Sequence, residues 1–275
     1  MRTRILSAAT VWLIFPVTLA LGQQAPSASP IPAASQSQAD CTGFFTTTHV
    51  STDVIVLDGA NNDLEEVLRQ FTPHESIYLY RRHKGNFSVG EEYSLVRPAN
   101  VLFRTTRYSG EHWTIHTLGT PYEDVGRATV THVTPEGAVA EVSFACGPIY
   151  PGDIAVPYQP RTIPDYVPAK LDRFPLPDGK IKGTIVAARN NFASLTLGDI
   201  VYLNFGGKQG AEVGQRYRVY YARPTPGHWS LLVYPPMPRE TVGEIVVLST
   251  QEKSAAAIIV NCTRDLSVGY GVELE

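Results

Sequence analysis

The sequence predicts a mainly β protein built as a tandem duplication: two small β-barrel units, with one short helix in the first. Three observations predict it. Tyr78-Leu79 followed by Val89-Gly90-x-x-Tyr93 returns as Tyr202-Leu203 followed by Val213-Gly214-x-x-Tyr217, at an offset of 124 that Lys84 and Lys208 also obey. Apolar residues alternate with polar ones over short runs rich in Val, Thr, Tyr and Phe, the composition that strands favour. Turn residues punctuate the runs at close spacing, as in small barrels and sandwiches. A repeat of this length outranks any local signal in deciding the architecture.

The repeat continues downstream at an offset of 116 or 117. His112-Trp113-Thr114 returns as His228-Trp229-Ser230, Val125-Gly126 as Val242-Gly243, and Cys146 as Cys262. The first copy therefore carries about eight extra residues near 101–109. Its strands are expected at 77–80, 92–96, 113–118, 127–133 and 138–144, with Pro135-Glu136-Gly137 as a hairpin turn, because proline presets one φ and glycine admits a positive one. The second copy is expected to place strands at 182–189, 200–204, 216–221, 229–234, 244–249 and 255–260. Its last hairpin turns at Gln251-Glu252-Lys253, and a short terminal strand follows Gly269. Gly90 and Gly214 are expected to supply positive φ or a tight bend. Closing each unit into a barrel removes the sheet edges that invite aggregation.

The expected helix has Leu64, Val67, Leu68 and Phe71 at i, i+3, i+4 and i+7, Asn62 and Glu65 as caps, and Pro73 as its stop. It is expected to plug an open end of the first unit, with partner binding as the alternative. Arg2, Arg4 and the apolar stretch from Ile5 to Leu21 read as a signal peptide over residues 1–22, cleaved after Gly22. The stretch is short of the roughly 20 apolar residues that a membrane span needs, and Pro16 interrupts it. Residues 23–40, almost all Gln, Ala, Pro and Ser, predict a disordered tether. The first β unit is assigned to 41–157, a proline-rich linker to 158–178 and the second β unit to 179–275. The export signal implies a periplasmic or secreted protein that does not span the membrane after cleavage.

Removing Arg2 and Arg4 from 23 basic residues leaves 21 against 26 acidic ones, a net charge of −5. That balance argues against nucleic acid, whose phosphates attract a basic face. Three cysteines occur in all. Cys41–Cys146 is the favoured disulfide, which would tie the start of the first unit to its last strand. Cys41–Cys262 is the alternative, with three reduced thiols as a third state.

Two tryptophans at equivalent places, Trp113 and Trp229, predict hairpin packing residues. The alternative is a stacking surface for a ligand, formed with His112 and His228. Those four are the candidate ligand-binding residues. His112 and His116 fall on one face of the expected strand, but the second copy has Leu232 in place of His116, which weakens a metal reading. Gly206-Gly207-Lys208-Gln209-Gly210 lacks the Ser/Thr and helix of a phosphate loop and reads as a connection between strands. No Gly-x-Ser-x-Gly elbow and no repeated catalytic set is present, so no catalytic residue, metal or cofactor is expected.

The second unit carries Gly198-Asp199-Ile200-Val201-Tyr202-Leu203-Asn204, then Gly210, Val213-Gly214, Tyr217-Arg218-Val219, Val242-Gly243-Glu244-Ile245 and Val268-Gly269. This pattern resembles the SH3-like C-terminal barrel of envelope proteins of the flagellar assembly protein T type, and the regions that follow LysM modules. It covers residues 181–275 and, in weaker form, 75–157. The resemblance implies a non-catalytic scaffold or binding module whose partner is an envelope protein or cell-wall polysaccharide. An enzyme with its site at the junction of the two units is the remaining alternative.

Overall fold

The computed structural model describes residues 29–59, 70–83, 85–99, 108–177, 180–192, 194–222 and 238–275. The signal peptide, the helix expected over 63–71 except its last two residues, the His228-Trp229 pair and most of the 101–109 insertion lie outside the described residues.

The chain opens with β1 (Ile31–Pro32), α1 (Gln36–Asp40) and β2 (Phe44–Thr46). The first unit follows with β3 (Val54–Gly59), β4 (Ser76–Arg81), β5 (Glu92–Pro98), α2 (Glu111–Leu118), β6 (Thr120–Val133), β7 (Ala138–Ala145) and β8 (Ile154–Pro157). After β9 (Asp165–Tyr166), the second unit comprises β10 (Lys182–Ala188), β11 (Ile200–Leu203), β12 (Arg216–Tyr221), β13 (Glu240–Thr250), β14 (Ala255–Cys262) and β15 (Gly271–Leu274). Strands β3–β4–β7–β6–β5–β8 close into a six-stranded antiparallel barrel, and β2 adds to β6 from outside. Strands β10–β11–β14–β13–β12–β15 close into a second barrel with the same connectivity.

The duplication is visible down to the register. Leu79 pairs with Ala138 as Leu203 pairs with Ala255. Tyr93 pairs with Ala128 as Tyr217 pairs with Ile245. Both copies interrupt the β6–β7 or β13–β14 ladder at two matching places, after Arg127 and Val130 in one and after Glu244 and Val247 in the other. Such bulges bend a long strand and sharpen its twist, which lets β6 and β13 each serve two sides of a small closed barrel. Inward residues of alternating strands fill each interior: Val56, Ile77, Leu79, Leu95, Ala140 and Val142 in the first, Ile185, Val201, Leu203, Val219, Ile245 and Ala257 in the second.

The glycine expectation holds in both copies, since Gly90 and Gly214 each adopt φ +88°. Gly214→Ala is expected to lower stability by about 1–2 kcal/mol, the strain of placing a Cβ in the left-handed region; a urea denaturation curve measures it. The hairpin at Pro135-Glu136-Gly137 is closed by Thr134 and Gly137, which exchange backbone hydrogen bonds. Gly207–Gln209 forms a single 3₁₀ turn whose Gly207 N–H donates to Gln251 of the last hairpin, as expected of a strand connection.

The structure departs from the expectations at five places. Residues 113–118 are helical. Glu111, Ile115 and Leu118 form a buried stripe at helical spacing, and Gly110 (φ +82°) and Gly119 (φ +93°) end the helix on either side. The strand Val54–Gly59 was not anticipated, because Val54-Ile55-Val56-Leu57 is a continuous apolar run without alternation. The tether expected over 23–40 is structured from Ile31 onward: β1 pairs with β9, Ser35 caps α1, and Ala33 and Ala34 are buried against Val246, Leu248, Ile258 and Val260 of the second barrel. Cys262 does not occupy the place of Cys146. It pairs with Gly243 as Ala145 pairs with Gly126, so it stands one residue out of step and packs toward the barrel interior. Cys146 lies just beyond β7 and forms the disulfide with Cys41. Phe71, expected to end a helix, instead bridges Ile149 in extended backbone and is buried in the first core.

Candidate functional site

The site that the fold builds lies where the first unit meets the second. The strap from Cys41 to Thr46 is anchored at one end by the Cys41–Cys146 disulfide and at the other by β2 pairing with β6. Between those anchors it presses on the outer face of β11. The Tyr202 hydroxyl donates to the Thr42 carbonyl at 2.8 Å, and the Phe45 ring meets Tyr202 edge-on at 5.1 Å. Ser254 Oγ donates to the Phe45 carbonyl at 2.9 Å. Ile115 and Leu118 of α2 complete an apolar contact with Val186, Ala187, Ile200 and Ala256. Gly43 (φ +68°) must be glycine here, because a Cβ would lie 2.6 Å from the Tyr202 hydroxyl and 2.9 Å from the Tyr122 carbonyl.

Burial, helped by the Asp124 charge, pushes the Tyr202 phenol well above its ordinary pKa, against the opposing charges of Arg189 and Arg161. The ring therefore stays neutral and serves as a donor. Tyr202→Phe is expected to lower stability by about 1–2 kcal/mol, since the buried Thr42 carbonyl loses its side-chain donor; thermal unfolding reads this out.

Beside this contact a cleft of about 190 Å³ opens between the units, lined by Phe45, Arg97, Pro121, Glu123, Asp124, Val125, Cys146, Ala187, Arg189 and Tyr202 among others. A second cavity of about 160 Å³ shares Ala188, Arg189 and Asn190 with it and extends toward Gln38 and Asp199. Two ion pairs brace the cleft. Arg161 grips Asp124 with two bonds of 2.7 and 2.9 Å, while the Gly43 N–H donates to the same carboxylate at 2.7 Å. Arg97 holds Asp153 through two bonds of 2.6 Å, stacks over Tyr150 and reaches Glu123 at 3.4 Å. Burial alone would lower the Arg97 pKa, but the Asp153 hydrogen bonds and the charges of Asp153 and Glu123 outweigh it and raise it. Both buried carboxylates are thus occupied as acceptors, and the guanidiniums beside them are neutralised.

The sequence-derived candidates lie elsewhere. His112, Trp113 and His116 occupy the solvent side of α2, and Trp113 is 72% exposed rather than packed. Trp229 and His228 lie outside the described residues. Among the described residues no cluster of three or more His, Cys, Asp or Glu could hold a metal ion. The cleft residues were missed by motif reading because they come from six separate segments. No sequence signal marked Arg189, because its counterpart in the first copy, Ala60, is fixed only by the strand register.

Fold and cleft together define the class: a pair of fused six-stranded antiparallel barrels with a braced cavity at their junction. No protein-family model matches this chain, and no curated protein matches it. Among the described residues no helix is long and apolar enough to cross a membrane.

Proposed function

We propose that the chain is a non-catalytic interaction protein of the cell envelope, periplasmic or secreted, in which two SH3-like barrels form one recognition body. One observation supports this above all: the buried carboxylates of the junction cleft are committed to structural ion pairs and a backbone N–H. Acid–base or nucleophilic catalysis wants a carboxylate or nucleophile held ready for a proton or an electrophile. Asp124 and Asp153 are arranged for rigidity instead. The disulfide fits an oxidising compartment, in keeping with the signal-like N-terminus. The purified chain incubated with peptidoglycan sacculi is expected to release no soluble fragments. Release that Glu123→Gln abolishes would overturn the reading, because Glu123 is the half-exposed carboxylate of the cleft.

A second reading, binding of cell-wall polysaccharide, draws on the exposure of Trp113. Sugars stack on aromatic faces, and such a ring flanked by His112 and His116 offers both stacking and hydrogen bonds. Retention on sacculi is then expected to fall several-fold in Trp113→Ala; equal retention of variant and wild type excludes it.

A further inference from the structure

We propose that the junction cleft binds a monocarboxylate carried on a compact apolar body, such as the last residue of a short peptide, with Arg189 as the anchor. The inference rests on the reading of the cleft as a place of recognition. Its first support is charge accounting. Arg97 and Arg161 are each matched by a buried aspartate. Arg189 lines both cavities, is half-buried, and has no acid within ion-pair distance among the described residues. A guanidinium in a concave site with no carboxylate in direct contact keeps its planar donor fork available to an incoming anion.

The second support is internal to the duplication. Strand β3 maps onto β10 at an offset of 129, since Val54 faces Ala155 as Gly183 faces Val272. On that offset Asn190-Asn191 corresponds to Asn61-Asn62, whereas Arg189 corresponds to Ala60. The asparagine pair recurs with the connection that follows the strand; the arginine is an addition of the second copy. The barrel itself therefore has no need of a guanidinium at this place.

The surroundings select the anion. Phe45, Pro121, Val125 and Ala187 give the cleft an apolar wall, and the cleft of about 190 Å³ and the adjoining cavity of about 160 Å³ together pass the ~300 Å³ at which ligand pockets begin. Glu123 and Asp124 border the same space. Their negative charge disfavours a dianion such as phosphate more than a single carboxylate, which the planar Arg fork can bind through two parallel hydrogen bonds.

The test is a chemical-shift titration of the full chain with N-acetyl-alanine, N-acetyl-alaninamide and inorganic phosphate. The acid is expected to bind saturably, with shifts at Arg189, Asn190 and Tyr122, and at least about tenfold more tightly than the amide, the factor expected for losing a charge-assisted pair. Arg189→Gln is expected to abolish this binding while the urea midpoint stays in place, as Ala60 in the sister copy implies. Equal affinity for acid and amide, absence of binding by both, tighter binding of phosphate, or retained binding in Arg189→Gln would each overturn the proposal. Sacculus hydrolysis tests the non-catalytic reading separately, so a chain that binds no acid and cleaves no polymer loses only this inference.

Discussion

Replacing Cys41 with serine is expected to lower the stability of the protein by about 4–5 kcal/mol. The Cys41–Cys146 bridge closes a loop with a sequence separation of 105 residues, and the entropy withheld from an unfolded chain by a loop of that size is worth about 4.7 kcal/mol. The effect should be felt first at the junction, because the bridge anchors the strap that carries Thr42, Gly43 and Phe45 onto Tyr202. Urea denaturation of the oxidised protein, the reduced protein and Cys41→Ser checks it: the last two should coincide. Cys262→Ala is the control. That thiol is unbridged, and its removal should shift stability by only about 1 kcal/mol. If reduction leaves the midpoint unchanged, the bridge does not constrain the unfolded chain as argued.

Asp124→Ala is expected to cost about 3 kcal/mol. The substitution strips Arg161 of a two-bond partner and leaves the buried Gly43 N–H without its acceptor. Breaking a buried pair from one side typically costs 3–5 kcal/mol because the remaining charge stays uncompensated. The lower end applies here, since Arg161 is a quarter exposed and also donates to the Ala39 carbonyl. A double-mutant cycle separates this from simple loss of packing. Asp124→Ala combined with Arg161→Met should cost less than the two single changes added together, by about 1–3 kcal/mol. Additive costs would mean that the pair contributes nothing of its own.

Particular residues show how far reading the chain could go. The alternation around Ile77-Tyr78-Leu79 and its echo at Val201-Tyr202-Leu203 placed two strands and their inward faces without any tertiary information, because a strand's side chains alternate and only one face can be buried in a small barrel. Gly90 and Gly214 were legible for a similar reason: their place between a loop and a strand demands a φ that only glycine adopts freely. Trp113 was misread. Its equivalence to Trp229 predicted a packed strand residue, whereas the buried stripe of Glu111, Ile115 and Leu118 makes the segment a helix and turns the indole to solvent. Residues 31–40 were misread because low hydrophobicity hides two alanines small enough to lie flush on a neighbouring barrel.

What the chain determined by itself is the duplicated barrel, since strand period, turn glycines and repeat spacing are local properties that both copies must satisfy to close. What only the tertiary structure decided is how the copies differ. Tyr78 and Tyr202 hold the same position in the repeat, yet Tyr78 is 41% exposed and Tyr202 is 7% exposed. No local signal separates them. The difference arises because one strap, pinned by one disulfide, covers the outer face of the second barrel. The same contact forms the cleft beside it, where Arg189 faces the junction.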